Sequence, residues 1–595
     1  MEKEKPERRG VPEPTEDSLP SNGELASALR TIADYLAIEG ESTFKILAYQ
    51  RAADTFRDHP LSIAAMAREG SLRDIPGVGE AIQAKVAEYL ERGTTTYLTE
   101  QRARYPGDIL ALTRLPGIGP KTVKKLWDHL GISSLDELRA AAENESIRNI
   151  PGLGPKSEAN LLQALSAREA RSERFLLGEI DPLANRLIGA LSEMDTVTRV
   201  EGAGSLRRRR STVHDIDLAA STEDPEATAE GFSKLREIAL ISERGRAKVV
   251  GRTQSGINVD LRLSAPASFG NMLQHLTGSA EHNVALRGYA RSLGMSISEY
   301  ALSEEEGRNE EEGGRQYSYP TEEEVYEHLG MPCIPPELRE GQGELEAARE
   351  GRLPRLISRQ DLRGDLHVHS DWSDGRAGLE EMVQAARERG LEYICFSDHT
   401  QSLSVAGGLT PDRLRRQTAR IRELNEQMPD ITLLSGTEVD ILTKGSLDLP
   451  DTVLEELDYV TASIHSGLRS SEAEIMRRLE SAMLNPHVDA IGHPTGRLLG
   501  RRDPYPVDME RIASLAAETG TFLEINASFE RLDLSAHHAR KAKESGATMA
   551  ICSDAHSPAG FDLLDYGVGE ARRGWLEPGE VANTLPLEEL RSILR

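Results

Sequence analysis

Cysteine is scarce. The chain of 595 residues holds three, Cys333, Cys395 and Cys552, scattered and with no CxxC pair. An odd, dispersed set excludes a disulfide framework and points to a reducing cytoplasmic setting. Long apolar runs are missing as well, so no membrane-spanning helix is expected. The opening MEKEKPERRGVPEPTEDSLPSNG has no apolar core, and it reads as a disordered tail rather than a signal peptide. Positive charge is in deficit: 71 Lys and Arg against 98 Asp and Glu leave a net charge of −27. At first sight that excludes nucleic acid as a partner. Binding depends on local patches, however, and basic residues cluster at Arg207–Arg210 and Lys121–Lys125, whereas acids gather in the loop-like Ser303–Gly314. The length calls for three or more domains, each with its own core.

The last third of the chain holds a run of metal-ligand residue types, opening at DLHVHSDWSDG (Asp365–Gly375). His367 and His369 alternate on a predicted strand, so both imidazoles face one way. Asp374 follows, then His399 in FSDH, Glu438 in GTEVD, His465 in ASIH, His493 in IGHP, and Asp554 and His556 in SDAH. Most of them close a short apolar run, as in YICFSDH and TMAICSDAH. Successive strand ends that each deliver a ligand are how a parallel barrel builds one site at one mouth. A lone histidine is ordinarily a surface or satisfied core residue, yet six of the fifteen in the chain fall in this series. Such a set exceeds the need of one tetrahedral zinc. It suits two or three divalent ions sharing carboxylates, a site for metal-activated water and phosphoester hydrolysis.

This series resembles the polymerase-and-histidinol-phosphatase (PHP) domain, from about Asp361 to the C-terminus. The resemblance implies a distorted barrel of alternating strands and helices that binds up to three metals with these nine ligands. Zinc, manganese and iron all stay open as the ion.

The N-terminal third is predominantly helical and repeats itself. DIPGVGEAIQAKVAEYL starts at Asp74, RLPGIGPKTVKKLWDHL at Arg114 and NIPGLGPKSEANLLQAL at Asn149. In each, Pro-Gly-apolar-Gly leads into an amphipathic helix. Gly77 and Gly79, Gly117 and Gly119, and Gly152 and Gly154 permit a tight turn and leave first-turn N–H groups uncovered. Those donors and the helix dipole fit a DNA phosphate, with Lys121 beside the second turn. This is the helix-hairpin-helix pattern, which grips the backbone without reading bases. One PGxG is also an ordinary helix–helix turn, and the third copy is the best candidate for a purely structural role.

The middle of the chain carries a second chemical signature in RVEGAGSLRRRRSTVHDIDLAAS (Arg199–Ser221). Gly204-Ser205 ends an apolar run and precedes a basic stretch; Asp215 and Asp217 flank Ile216 on a predicted strand. An i, i+2 pair puts both carboxylates on one face while Ile216 enters the core. Asp260 in INVDLRL occupies a comparable strand downstream. Three converging carboxylates can hold two Mg²⁺ ions around an incoming triphosphate. Taken alone, DID is more often a strand edge with solvated acids.

With the Gly-Ser-x-Arg-Arg and VDLR that accompany it, this region resembles the nucleotidyltransferase palm of family X DNA polymerases, and the resemblance extends over nearly all of residues 22–340. It implies that Asp215, Asp217 and Asp260 bind two Mg²⁺ or Mn²⁺ ions, with Asp260 as the base for the primer 3′-hydroxyl. Gly204, Ser205, Arg208 and, in TGSAEHN, Gly278 would contact the nucleotide. Asn283 would reach the minor-groove edge of the nascent pair. Lys85 matches the position of a Schiff-base lysine, although a solvated helix lysine is the plainer reading. Two departures stand out: His275-Leu276 replaces the usual aromatic pair before TGS, and His214 stands where the family commonly has glycine.

The resulting expectation is a multidomain α/β protein. It has helical helix-hairpin-helix domains at the N-terminus, a nucleotidyltransferase palm with a mixed β-sheet, and a C-terminal distorted (β/α) barrel of PHP type. The layout is tail 1–21, lyase-like helical domain 22–95, fingers 96–175, palm 176–268, thumb 269–338, linker 339–360 and barrel 361–595. Its partners would be gapped or nicked DNA and dNTPs, with no membrane and a monomer as the default. The palm would extend a primer, and the barrel, with two or three Zn²⁺, Mn²⁺ or Fe²⁺ ions, would act as a 3′→5′ exonuclease or incise abasic sites. The rivals are a phosphatase of small phosphomonoesters tethered to DNA, and a non-catalytic binder of DNA structures.

Overall fold

The computed structural model describes residue 20 and residues 22–57, 63–75, 77–105, 109–113, 115, 118–171, 174–304 and 315–595. The N-terminal tail, most of the acidic loop and Gly117 of the second hairpin lie outside the described residues. The chain forms two compact units, residues 1–172 and 173–595. Among the described residues no helix is long and apolar enough to cross a membrane. All three cysteines are free.

The first unit is helical, and its repeats share one local geometry. The helices Glu80–Arg92, Pro120–Leu130 and Pro155–Arg171 each follow a tight turn. In that turn Val78 N–H donates to Ile75 O, Ile118 to Leu115 and Leu153 to Ile150, at 2.9–3.2 Å. These residues are apolar because the turn is anchored inward: Ile75, Val78, Leu115, Ile118 and Ile150 all belong to the unit's core.

In the second unit the palm is a five-stranded sheet of β1 (Val197–Gly202), β2 (Ile216–Thr222), β3 (Ile238–Arg244), β4 (Lys248–Thr253) and β5 (Asn258–Ser264). The spatial order is β1-β2-β5-β4-β3, with β2 and β5 parallel and the other pairs antiparallel. β5 alternates strictly: Val259, Leu261 and Leu263 are buried while Asp260 and Arg262 emerge on the other face, as a sheet covered on one side requires.

The barrel holds seven parallel strands in sequential order: β6 (Gly364–Val368), β7 (Tyr393–Phe396), β8 (Thr432–Asp440), β9 (Tyr459–Ser463), β10 (Ala490–Ile491), β11 (Phe522–Asn526) and β12 (Met549–Cys552). It closes nearly completely, since Val368 bridges Ala555 and His369 N–H donates to Ala555 O at 2.9 Å. Period-2 alternation sorts the side chains. Tyr393, Cys395, Leu434, Tyr459, Phe522, Ala550 and Cys552 fill the interior, while Ile394, Phe396, Leu433, Leu523, Ile525 and Ile551 face the surrounding helices.

Residues 339–360, expected as a linker from their polarity, are packed. The helix Glu344–Arg349 buries Leu345, Ala347 and Ala348. Glu344 accepts from buried His282 Nδ1 at 2.8 Å, and Glu340 accepts from Arg208 Nε and Arg210 Nη1 at 3.1 Å each.

Candidate functional sites

The palm centre grows from the β2–β5 pair. Asp217 and Asp260 are register partners across these parallel strands, and Asp215 immediately precedes β2. Burial, then the charges of Asp215 and Asp260, push the Asp217 carboxyl up to about 7, against the pull of Arg208 and Arg262. Like charges held together against their preference are the condition a divalent cation relieves. Asp260 Oδ1 is buried without a hydrogen bond, 3.6 Å from Arg262 Nε, and Lys248 Nζ lies 3.4 Å from Asp260 Oδ2. His214 Nδ1 stands 3.4 Å from Asp215 Oδ2.

Gly204 explains the GS signature. Its φ is +56°, and a methyl built on it would overlap the Asp217 carboxylate. Only glycine brings this turn onto the acid. Ser205 and Arg208 follow on the short helix Gly204–Arg207 and its C-cap. Arg208 Nη1 donates to Thr277 O at 2.6 Å and approaches Gly278, where a Cβ would stand 3.2 Å away. Asn283 sits on the helix Ala280–Ser292, where its amide donates to His275 O at 2.8 Å and accepts from Gln274 at 2.9 Å. His275 and Leu276 are thus fixed beside the residue that the resemblance assigns to the minor groove.

In the first unit Gly77 and Gly152 have φ of +83° and +85°, while Gly79 and Gly119 cap their helices with no side chain covering the first turn. Gly77, Gly79, Gly119 and Lys121 are exposed, and no atom would meet a Cβ at Gly77, Gly79, Gly119 or Gly154. The third hairpin differs: Lys125 Nζ already donates to Pro151 O at 2.9 Å. Lys85 pairs with Glu88 at 3.0 Å.

At the barrel mouth the nine sequence-derived residues come together. Three groups of ligand atoms could each hold a metal ion: His369, Asp374, His399 and His556; His367, His369 and Asp554; and His399, Glu438 and His465. His493 joins through Nε2, 2.9 Å from Glu438 Oε1. Burial alone would raise the Glu438 carboxyl, but His465, His399 and His367 hold it well below the usual range. Burial and the neighbouring His556 and His399 push His369 down to about 4. His367 Nε2 and His369 Nδ1 are buried with no hydrogen-bond partner, so the donor set fits divalent cations. Two of the nine residues occupy left-handed backbone, His493 at φ +29° and Asp554 at φ +56°, a cost that persists only where the surroundings impose it.

Sequence reasoning missed the groups that hold these side chains. Glu524, inward-facing two residues beyond Phe522 on β11, accepts from His367 Nδ1 at 2.7 Å and from His493 N–H. Asn526 donates to Asp554 Oδ2 at 3.0 Å, and Asp440 pairs with His465 Nδ1 at 3.0 Å. Carboxylates behind ligand imidazoles fix ring orientation and raise basicity. The available signal was a glutamate inside the apolar strand TFLEIN, and an acid two residues after Glu438. Arg531 also escaped notice; its Nε lies 4.0 Å from Asp554 Oδ2, and its Nη1 is buried without a partner.

Comparison with known proteins agrees with this anatomy. A helix-hairpin-helix domain matches residues 20–95, a SAM-like helix-hairpin-helix tandem 109–167, a DNA polymerase beta thumb 272–340 and a PHP domain 365–528. Asp554 and His556 lie beyond that last match yet belong to the same cluster. The DNA polymerase/3′-5′ exonuclease PolX of Bacillus subtilis is 37% identical over 574 residues, covering 96% of this chain and 99% of that protein. DNA polymerase lambda of Rattus norvegicus is 26% identical over 54% of this chain and 56% of its own length. A probable phosphatase of Thermoanaerobacter sp. is 34% identical over 33% of this chain and 80% of its own. With a near full-length relative and both the polymerase thumb and the PHP domain in place, the chain belongs to the PolX group of family X DNA polymerases.

Proposed function

We propose that this protein fills short gaps in DNA during cytoplasmic repair synthesis and trims 3′ ends with its barrel. The palm uses two Mg²⁺ or Mn²⁺ ions, and the barrel two or three Zn²⁺, Mn²⁺ or Fe²⁺ ions. The reading is supported above all by two separate clusters in one unit: an acid trio under a Gly-Ser turn, and nine ligand groups at one barrel mouth. Divalent ions in such sites stabilise charge on transferring phosphates and ease ionisation of the attacking hydroxyl or water.

The chain's own residues supply the rest. The hairpin turns at Gly77–Gly79 and Gly119 offer uncapped helix N-termini to the phosphates of gapped or nicked DNA. Arg208 exchanges the Glu340 carboxylate for triphosphate oxygens, a like-for-like trade suited to a planar guanidinium. Asp260, whose Oδ1 accepts no hydrogen bond, receives the proton of the primer 3′-hydroxyl. In the barrel, Glu524 and Asp440 fix the rings of His367 and His465, which would help hold the ions, and Arg531 takes a non-bridging oxygen of the scissile phosphate. Each cluster is complete within one chain, so a monomer suffices.

Gap filling on a one-nucleotide gap and degradation of a labelled 3′ end, assayed in parallel, test the proposal. Asp217→Ala should abolish gap filling and largely spare 3′ degradation, and His369→Ala should do the reverse. Gap filling that survived Asp217→Ala would overturn the palm reading. Release of phosphate from a small monoester in preference to 3′ degradation would overturn the barrel reading.

A further inference from the structure

The four arginines after the Gly-Ser turn reach in different directions. Arg207 Nη1 pairs with the thumb's Glu322 at 2.6 Å, and Arg208 and Arg210 pair with Glu340. Arg209 turns the opposite way, toward the barrel. Its Nη1 donates to Asp181 Oδ2 at 2.7 Å, and its guanidinium lies 5.2 Å from the centre of the Tyr566 ring. Arg209 is also backbone-strained, with φ at +54°. A non-glycine residue keeps that conformation only when its surroundings over-determine it. Here the grip on the side chain supplies the constraint.

The grip spans two catalytic regions. Asp181 lies on the palm helix Leu177–Ser192, and Tyr566 on the barrel helix Leu564–Arg573. Tyr566 packs against the palm core and meets Phe529 edge-on at 5.9 Å. Phe529 in turn fills the place where a side chain at Gly178 would be. Gly569 leaves room for Arg209, since a Cβ there would stand 3.3 Å from Arg209 Nε. Between the two helices lies a cavity of about 700 Å³. Packing between them is interrupted there, and they meet at a few points, among them Tyr566 against Asp181; next to them Arg572 of the barrel helix also pairs with Glu337 of the thumb at 2.7 Å.

We infer that Tyr566 of the barrel and Asp181 are positioning residues for nucleotide binding, holding Arg209 so that the turn bearing Ser205 and Arg208 keeps its shape beside Asp217. The inference rests on the reading that Ser205 and Arg208 meet the triphosphate. It gives the exonuclease barrel a second task, as the buttress of the polymerase's nucleotide pocket. Tyr566 is no part of the ligand cluster at the barrel mouth, so the two tasks can be separated.

The test measures KM for dNTP and kcat on a one-nucleotide gap, together with 3′ degradation, in the full-length chain. Tyr566→Ala and Arg209→Gly should each raise KM about five- to tenfold with kcat and 3′ degradation near the parent values, as loss of a half-buried cation–π contact would do. Arg209→Gly relieves the strained φ, so its defect would come from the lost grip alone. Tyr566→Phe keeps the ring face under Arg209 but loses the hydroxyl beside Asp181, so its KM should lie between those of the parent and Tyr566→Ala. Arg208→Ala serves as the reference for the underlying reading and should raise KM more than tenfold. An unchanged KM in Arg208→Ala would sink that reading and this inference with it. A raised KM there with parent-like Tyr566→Ala and Arg209→Gly would sink this inference alone, as would a parallel fall in 3′ degradation.

Discussion

Replacing Gly204 with alanine isolates the link between backbone geometry and palm chemistry. Two penalties arise. The residue sits at φ +56°, where an alanine costs about 1–2 kcal/mol. The new Cβ would also stand 2.8 Å from Asp217 Cγ and 3.2 Å from Asp217 Cβ, against an optimal carbon–carbon separation of roughly 3.5–4.0 Å. Either the turn or the Asp217 carboxylate must yield by roughly 1 Å, a displacement that can cost about 10²-fold in rate. Gap filling should therefore fall about 10²-fold, while 3′ degradation stays unchanged and the melting temperature drops by only a few degrees. Gly189→Ala is the matched control, because Gly189 is exposed on the palm helix Leu177–Ser192 and a Cβ there meets no atom within 4 Å. It should be neutral or slightly stabilising. Gap filling within threefold or so of the parent in Gly204→Ala would refute the idea that this contact sets the position of Asp217.

Glu438→Gln removes the acid on which His399, His465 and His493 converge at 2.8–3.2 Å; 3′ degradation should fall by about 10²-fold or more while gap filling persists, and metal content measured by elemental analysis should drop. Glu524→Gln, behind His367, should weaken metal affinity or 3′ degradation about 10- to 100-fold, read by titrating the chelated protein with Zn²⁺ or Mn²⁺. Chelation itself should lower the melting temperature, since an ion present at 100 times its Kd stabilises by about 2.7 kcal/mol; an unchanged transition would argue against bound ions. Gap filling should decline below about pH 7, because protons compete with cations at Asp217, and more Mg²⁺ should move the midpoint to lower pH. The sign for stability follows: a carboxyl raised from 3.8 to about 7 favours the metal-free fold most at low pH, and that contribution is lost as pH rises through about 7.

Much of both centres was legible because period-2 alternation is a local rule. Ile216 and Leu218 enter the core while Asp217 turns to the other face of the sheet; Leu434 points inward, and so does Glu438 four residues later. Glycine patterns were equally readable, since Gly77 and Gly152 need positive φ whatever surrounds them. What escaped depended on partners distant in sequence. Glu524 looks like an oddity in an apolar strand until His367, 157 residues away, is placed against it. Residues 339–360 read as a linker because their acids suggest solvent, yet Glu340 and Glu344 are bound by Arg208 and His282. Nothing in RRRR distinguishes Arg209 from its neighbours until the barrel helix supplies Tyr566.

The left-handed backbone at Asp554 bears on how the barrel should be dissected. Alanine at that site would forfeit a carboxylate and also resist the φ of +56°, so a single truncation would mix conformational damage with lost coordination. Asparagine tolerates such dihedrals far better and retains an oxygen facing Asn526. For this residue the amide variant is the cleaner probe, and the difference between the two replacements measures what the distorted main chain itself contributes to assembling the ion cluster.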